Sequence, residues 1–578
     1  MTCPAGAPVE VRRPRFPEIP IVRTNALTAT LLAAVTLGAV SMTAIGRARP
    51  HLAAPAPAKA KPNILVIVAD DLGYSDLGAF GGEIRTPNLD ALAARGLVLT
   101  GFHSAPTCSP TRSMLLSGTD NHLAGLGNMA EMRTPNQVGR PGYEGYLPAG
   151  IVTVADRLRD LGYATLMSGK WHLGTRAEDS PARHGFDQSF DLAQGGGNHY
   201  GIDLAKADGK GTTYWENGRR LDALPAGFYS SDSYASKLIE QLDRADKAKP
   251  FFAYLTFTAP HWPLQAPAED IARYRGIYDA GFEALRDRRL ARLKALGLVP
   301  KAVVAHDVIL PKGERWTDLS PERRREEARL MEIYAAMVDR MDQNVGRVIT
   351  HLKATGRYDD TIILFTADNG AEGLDLARSE LPEFRARVSA ADNSFANLGK
   401  PTSYVGYGPG WAQAATAPSW LHKGYTTEGG TRVAAFVDWP DAKRRGVDHT
   451  YGTVMDVLPT LVEAAGGRWQ GSSYAGRSVQ PVRGKSWRPY LIGAAARVHK
   501  PDEAIGSELF GRRAIRQGDW KLVDLGDGWK LFNLADDPGE TRDLSAREPA
   551  RTRQLVAAWD AYGKQVGVVM PATPSRYP

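Results

Sequence analysis

The hydrophobic pattern of the chain alternates between short, wholly apolar runs and longer stretches with helical spacing. Ile64-Leu65-Val66-Ile67-Val68 is continuous and β-branched, the pattern of a strand buried on both faces. Ala164-Thr165-Leu166-Met167, Phe251-Phe252-Ala253-Tyr254-Leu255 and Ile362-Ile363-Leu364-Phe365 repeat it. Helical stretches fall between them, for example Val154–Leu158. The clearest predicted helix runs over Pro321–Leu352. There Leu330, Tyr334, Met337, Met341, Val345, Val348 and Leu352 follow one another at three- or four-residue steps, one face of an α-helix. Ser320 suits its N-cap and Pro321 its first turn. Strands alternating with helices predict an α/β domain built on a large, mostly parallel sheet flanked by helices.

Near Arg512 the texture changes. Ala514-Ile515-Arg516, Trp520-Lys521-Leu522-Val523 and Trp529-Lys530-Leu531-Phe532 are short runs split by Gly518-Asp519 and Gly526-Asp527-Gly528, which are hairpin signals. A helix over about Pro549–Val566 follows. The expected organisation is therefore an α/β domain over 63–505 and a small antiparallel-sheet subdomain with a terminal helix over 506–578.

Composition changes this picture only at the N-terminus. The chain has 578 residues, enough for a large core, and its 43% hydrophobic and 23% charged residues are ordinary for a globular protein. Its net charge is +7, but +6 of that lies in residues 1–62, leaving about +1 for the rest. This excludes a nucleic-acid footprint. The leader has an Arg-bearing start, an uncharged stretch over Ala26–Ile45 and Ala/Pro-rich sequence to Pro62, which reads as an export signal and linker. Thr28, Thr30, Thr36, Ser41 and Thr43 dilute the apolar stretch, favouring a cleaved signal over an N-terminal membrane anchor. Arg12-Arg13 is a weak sign of twin-arginine export. The expected protein is exported, periplasmic or secreted, with no stable membrane span after signal removal.

Of the two cysteines, Cys3 lies in that leader, so the mature chain would hold one thiol, Cys108, and no intrachain disulfide. A lone Cys is commonly a small core hydrophobe. Here Pro110, Arg112 and a helical pattern opening at Ser113 place it near a helix N-terminus beside a fixed cation, a setting for anions. Other polar residues gather at strand ends, where ligands bind in open α/β sheets. The first strand runs into Asp70-Asp71. The others lead to Gly169-Lys170-Trp171-His172, to Ala259-Pro260-His261 and to Asp368-Asn369. Taken singly these are ordinary turn or N-cap residues, a solvated Lys and a structural His. Together, Asp70, Asp71, Asp368 and Asn369 supply hard oxygen donors that suit Ca²⁺ or Mg²⁺ rather than zinc. Lys170 and His172 alternate along a segment expected to be extended, so both would face one side.

With these residues in hand, the chain resembles the sulfatase family of the alkaline phosphatase-like superfamily. Cys108-Ser109-Pro110-Thr111-Arg112, followed by Ser113 to Gly118, resembles the signature in which the cysteine of Cys-x-Pro-x-Arg is oxidised to formylglycine. Gly169–Gly174 resembles the second signature. Asp70-Asp71 and Asp368-Asn369 match the calcium ligands, with residue 108 beside them, and His261 matches the leaving-group histidine. Lys423 before Glu428-Gly429-Gly430 matches a second lysine. Likeness runs from about Asn63 to the C-terminus. It is greatest to bacterial arylsulfatases acting on aryl and alkyl sulfates, through Asn198-His199-Tyr200, Phe228–Asp232 and residues 407–419. Ser117 and Ala434 depart from the more usual Thr and Pro.

The resemblance implies one Ca²⁺, a small sulfate ester as substrate, and a formylglycine-generating or other sulfatase-maturing enzyme as partner. One hydroxyl of the hydrated formylglycine would attack sulfur, and the second would drive release of sulfate. Arg112 and Lys170 would hold diol and sulfate, and Lys423 would sit at the bridging oxygen. Asp368 would bind metal and take a proton, His261 would protonate the leaving group, and His172 would deprotonate the second hydroxyl. Tyr143, Tyr146, His199, Tyr200, Trp262 and Tyr407 are candidates to line an aromatic-friendly pocket. Rival readings are a phosphate or phosphonate monoester hydrolase of the same superfamily, an inactive sulfated-glycan-binding relative, and a cysteine hydrolase pairing Cys108 with His261.

Overall fold

The structure, a computed structural model, describes residues 61–204, 211–379, 381–573 and 577. The expected export signal lies outside them. Residues 60–578 form one compact unit. Among the described residues no helix is long and apolar enough to cross a membrane.

A ten-stranded sheet organises the molecule. Its strands are β1 (Asn63–Ala69), β2 (Leu97–Leu99), β3 (Ala164–Lys170), β4 (Gln188–Leu192), β5 (Tyr214–Glu216), β6 (Arg219–Arg220), β7 (Phe251–Thr256), β8 (Thr361–Ala367), β9 (Ala435–Asp438) and β10 (Gly446–Asp448). They lie side by side in the order β10-β2-β9-β8-β1-β7-β3-β4-β5-β6. The middle five, from β8 to β4, are parallel throughout, with Ile64 paired to Ile362 on one side and to Phe252 on the other. All four apolar runs of the sequence are strands of this buried centre. Antiparallel pairs appear only towards the edges, at β9 and at β5.

Three helices frame the site and the C-terminal sheet: α1 (Cys108–Ser117), α2 (Pro321–Ala354) and α3 (Pro549–Val566). In α2 the expected apolar stripe is buried from Leu330 to Leu352. The Ser320 hydroxyl caps it by accepting the Arg323 N–H at 3.2 Å.

The C-terminal sheet has four antiparallel strands, β11 (Ala504–Leu509), β12 (Arg512–Gln517), β13 (Trp520–Asp524) and β14 (Trp529–Asn533). Leu522, Leu531, Leu555 and Trp559 close a small core between it and α3. Three of the four strands follow the sequence pattern. The fourth, β11, begins two residues before the expected boundary, because Gly506-Ser507-Glu508 carries no apolar alternation.

A buried charged cluster ties this sheet to the segment after α1. His122 Nδ1 lies 2.9 Å from Asp120 Oδ1 and Nε2 lies 3.2 Å from Glu508 Oε2, while Tyr562 donates to Asp120 Oδ2 at 2.8 Å. Burial alone would push His122 down, but hydrogen bonds to Asp120 and Glu508 outweigh it and hold the imidazole up at about 9. A group whose folded pKa lies above its unfolded 6.5 stabilises the fold fully below pH 6.5 and loses that contribution as pH rises through about 9. The contribution is on the order of 3 kcal/mol. Melting temperature is therefore expected to fall between neutrality and about pH 9. Calorimetry of His122→Gln should show a lower melting temperature and a flattened alkaline limb.

Candidate active site

The parallel centre of the sheet delivers the polar residues to one edge. Because β1 and β8 pair in register at Ala69 and Ala367, Asp70-Asp71 and Asp368-Asn369 leave adjacent strands at the same level. Asp71 takes a left-handed backbone (φ 64°), which Asp tolerates, and its N–H donates to Asp368 Oδ1 at 3.3 Å. Cys108 is the first residue of α1, and its Sγ lies 3.3 Å from Asp70 Oδ1 and 3.9 Å from Asp71 Oδ1. One ligand atom each from Asp70, Asp71, Cys108 and Asp368 fall within 4.8 Å of one another, and all four residues are buried.

Cations enclose these acids. One helical turn beyond Cys108, Arg112 donates from Nε and Nη2 to Asp368 Oδ2 at 2.9 and 2.8 Å, and from Nη1 to the Lys170 carbonyl at 2.8 Å. Lys170 Nζ donates to Asp70 Oδ2 at 2.6 Å. Lys423 Nζ lies 2.8 Å from Asp71 Oδ1 and 3.0 Å from Glu372 Oε2. His261 sits with Nε2 3.6 Å from Asp71 Oδ2, and Nδ1 bonds the Trp262 carbonyl at 2.6 Å.

The donor set fits a hard divalent cation. Asn369 donates from Nδ2 to Asp71 Oδ1 at 2.7 Å, leaving its own buried Oδ1 without a hydrogen-bond partner. A buried amide oxygen in that position costs free energy unless something binds it. Asp70, Asp71, Asp368 and Asn369 would hold the cation, with residue 108 beside it. Among the described residues, the other group able to hold a metal is Asp70, Cys108 and His261, which shares two members with the first. Both groups describe one place, which gives no support to a two-zinc phosphatase.

Burial pushes Asp70 up to about 8 despite the pull of Lys170. Burial also works on Asp71, but Lys423, His261 and Lys170 outweigh it and hold that carboxyl well below the usual range. Burial drives the Cys108 thiol well above its ordinary value, against Lys170 and Lys423. A thiolate is thus disfavoured where a cysteine hydrolase would need one. Burial likewise depresses His261, opposed by Asp71, and His172, opposed by Glu131.

A cavity of about 730 Å³ opens onto Cys108, His172, His261 and Lys423. Of the aromatic candidates, Tyr146 and Trp262 line it. Tyr143 packs on His122, Tyr200 on Tyr229 and Tyr407 on Tyr334, while His199 Nε2 bonds the His261 carbonyl at 2.9 Å from behind. The expected extended segment ends at Lys170. His172 is left-handed (φ 57°), so Lys170 turns to Asp70 while the His172 ring reaches Glu131, with Nε2 3.1 Å from Oε1. Glu131, Glu372, Phe384 and Tyr577 were not evident from sequence. Glu372 is four residues past Asp368 in the same strand-end loop, the one usable signal; Tyr577, which bonds Glu372, stands far away in the chain.

A model of the family described as Sulfatase matches residues 62–467, most of the chain. The chain belongs to the sulfatase family. It is 45% identical over 524 residues to an uncharacterized sulfatase of Schizosaccharomyces pombe, covering 88% of this chain and 94% of that one. To an arylsulfatase of Klebsiella aerogenes it is 40% identical over 411 residues, covering 70% and 87%. The crystal structure of a sulfatase from Pseudoalteromonas sp. superposes with a TM-score of 0.58 at 20% identity, over 90% of this chain and 91% of that one, and shares the fold. As a sulfatase, this protein is a sulfuric ester hydrolase acting on sulfate esters.

Proposed function

We propose that this sulfatase hydrolyses aryl or alkyl sulfate monoesters in a calcium-dependent reaction at residue 108, after a maturing enzyme has converted Cys108 to formylglycine, and that it works outside the cytoplasm. The observation that carries this reading is Cys108 at the start of α1, 3.3 Å from Asp70, within a ring of Arg112, Lys170 and Lys423.

Charge supports an anionic ester. Asp70, Asp71, Asp368 and Glu372 outnumber Arg112, Lys170 and Lys423 by one, so a bound dication would turn the centre to a positive excess. Calcium would supply a Lewis acid that polarises a sulfate oxygen and lowers the pKa of the attacking hydroxyl. Formylglycine hydrate would supply two hydroxyls on one carbon, one to attack sulfur and one to expel sulfate. The chain's own residues do the rest. Arg112 orients Asp368 through two bonds to Oδ2. Lys170 and Lys423, already aimed at the acids, can hold sulfate oxygens. His261 borders the cavity with its Nδ1–H donating to the Trp262 carbonyl, so it would give a proton to the departing oxygen from Nε2 as the imidazolium, the form that Asp71 beside it favours against burial. His172, its Nε2 held by Glu131, has a buried Nδ1 with no partner and is placed to accept a proton.

The mass of the tryptic peptide containing residue 108 tests this directly. An aldehyde is expected, and an unmodified thiol in active enzyme would refute the chemistry. Turnover of matched nitrophenyl sulfate and phosphate separates the sulfatase from the phosphatase reading; a clear phosphate preference would count against the proposal. The apolar wall adds a prediction. Trp262 lies 4.5 Å from the His261 ring and 5.2 Å from Phe384, centroid to centroid. Trp262→Ala is expected to raise KM for nitrophenyl sulfate ~10-fold, the worth of one aromatic contact, and to change KM for a short alkyl sulfate little.

A further inference from the structure

The two histidines of the cavity share a support that their own motifs do not reveal. Ala193 to Gly196 follow β4 and run along the cavity wall. A Cβ placed on Gly195 would stand 2.5 Å from His172 Cε1 and 2.8 Å from its Nε2. A Cβ on Gly196 would stand 2.8 Å from His261 Cε1 and 2.9 Å from its Nδ1. Neither glycine is among those with positive φ, so the backbone does not require glycine at either position. Space does. Two consecutive residues each lie flat against one imidazole, and each imidazole is tethered on another side, His172 by Glu131 and His261 by the Trp262 carbonyl.

We infer that Gly195 and Gly196 are positioning residues which hold the two proton-transfer histidines apart and in register with residue 108. This rests on the reaction proposed above. In its first half, a hydroxyl oxygen of residue 108 gives its proton to Asp368 and forms a bond to sulfur while the bond from sulfur to the alcohol oxygen breaks. The electron pair goes to that oxygen, which takes the proton of His261; Gly196 sets this transfer. In the second half His172 takes the proton of the remaining hydroxyl, the carbonyl re-forms, and the bond from carbon to the sulfate oxygen breaks with its electron pair; Gly195 sets this one. An added methyl meets a side-chain ring, not backbone, so the relaxation open to each alanine variant is to move that ring.

The test compares Gly195→Ala and Gly196→Ala across a series of phenyl sulfates with different leaving-group pKa. Displacing a proton-transfer group by about an ångström costs on the order of 10²-fold. Gly196→Ala is expected to lose activity increasingly as the leaving group becomes more basic, and to lose little more when added to His261→Ala. Gly195→Ala should lose equally across the series and accumulate one SO₃ unit on the residue-108 peptide during turnover. Crystal structures of both variants, independent of the state of residue 108, should show the facing ring displaced and the other in place. Undisplaced rings, or equal losses in both variants with no leaving-group dependence and no adduct, would overturn the inference. A plain thiol at position 108 in active wild-type enzyme would instead overturn the underlying reaction, while the ring positions would still report on the glycines.

Discussion

Cys108→Ser is expected to reduce steady-state turnover of an aryl sulfate by roughly 10³-fold or more, while leaving the melting temperature nearly unchanged. The small stability effect follows from size: Cys108 is 1% exposed and fills its place at the start of α1 with a single heavy atom beyond Cβ, which a hydroxyl replaces. The large catalytic effect follows from chemistry. Serine offers the same cluster of acids and cations one hydroxyl instead of two, so it can attack sulfur yet has no means of expelling sulfate. Rapid mixing with nitrophenyl sulfate should therefore give, at most, one equivalent of phenol per enzyme and then stop. Cys108→Ala should give none. Sustained turnover by the serine variant would show that the second hydroxyl is unnecessary, and the proposed reaction would fail.

Removal of bound metal should cost nearly as much. With a chelator, kcat/KM is expected to fall by ~10²-fold or more and to return on adding calcium, because polarisation of the sulfate and activation of the hydroxyl are lost together. The same titration should move stability. The ligand atoms of Asp70, Asp71 and Asp368 fall within 4.8 Å of one another, so a cation there binds the folded chain far better than the unfolded one. At a hundredfold excess over Kd that is worth about 2.7 kcal/mol, read as a calcium-dependent melting temperature. A melting curve and an activity both indifferent to chelator and calcium would contradict the assignment of Asp70, Asp71, Asp368 and Asn369 to a metal.

Much of this site was legible in the sequence because it is built from local features. Buried parallel strands read as unbroken apolar runs, and Asp70, Asp71, Lys170, His172, His261, Asp368 and Asn369 stand at or within five positions of their ends. The helix expected to open at Ser113 opens instead at Cys108, so Cys108 and Arg112 stand one turn apart on it. Legibility failed where contacts depend on the path of loops. Glu131 reaches His172 from a short 3₁₀ turn with no pattern of its own. Type alone left Tyr143 and Tyr407 between pocket and packing, and loop paths decided for packing, against His122 and Tyr334. The left-handed turn at His172 breaks the alternation expected after Lys170, since one residue with positive φ redirects all those after it. The edges of the large sheet were also hidden, because β2 has three residues and β6 two, too few for any periodicity to show.

The depth of Cys108 has a consequence for how the protein is made. Ser109, Pro110, Thr111 and Arg112 are as deeply enclosed as the cysteine itself, and Arg112 is locked to Asp368 across 256 residues of chain. The maturing enzyme proposed above, recognising the cysteine through Pro110 and Arg112, would need that stretch before it is packed into this fold. In the folded molecule Cys108 and Ser109 border the cavity, while Pro110, Thr111 and Arg112 are buried behind them. On the function proposed above, maturation would fall between synthesis of the first hundred-odd residues and closure of the sheet around β8. On that reading, a chain that folded before oxidation would keep the Cys108 thiol for as long as it stayed folded.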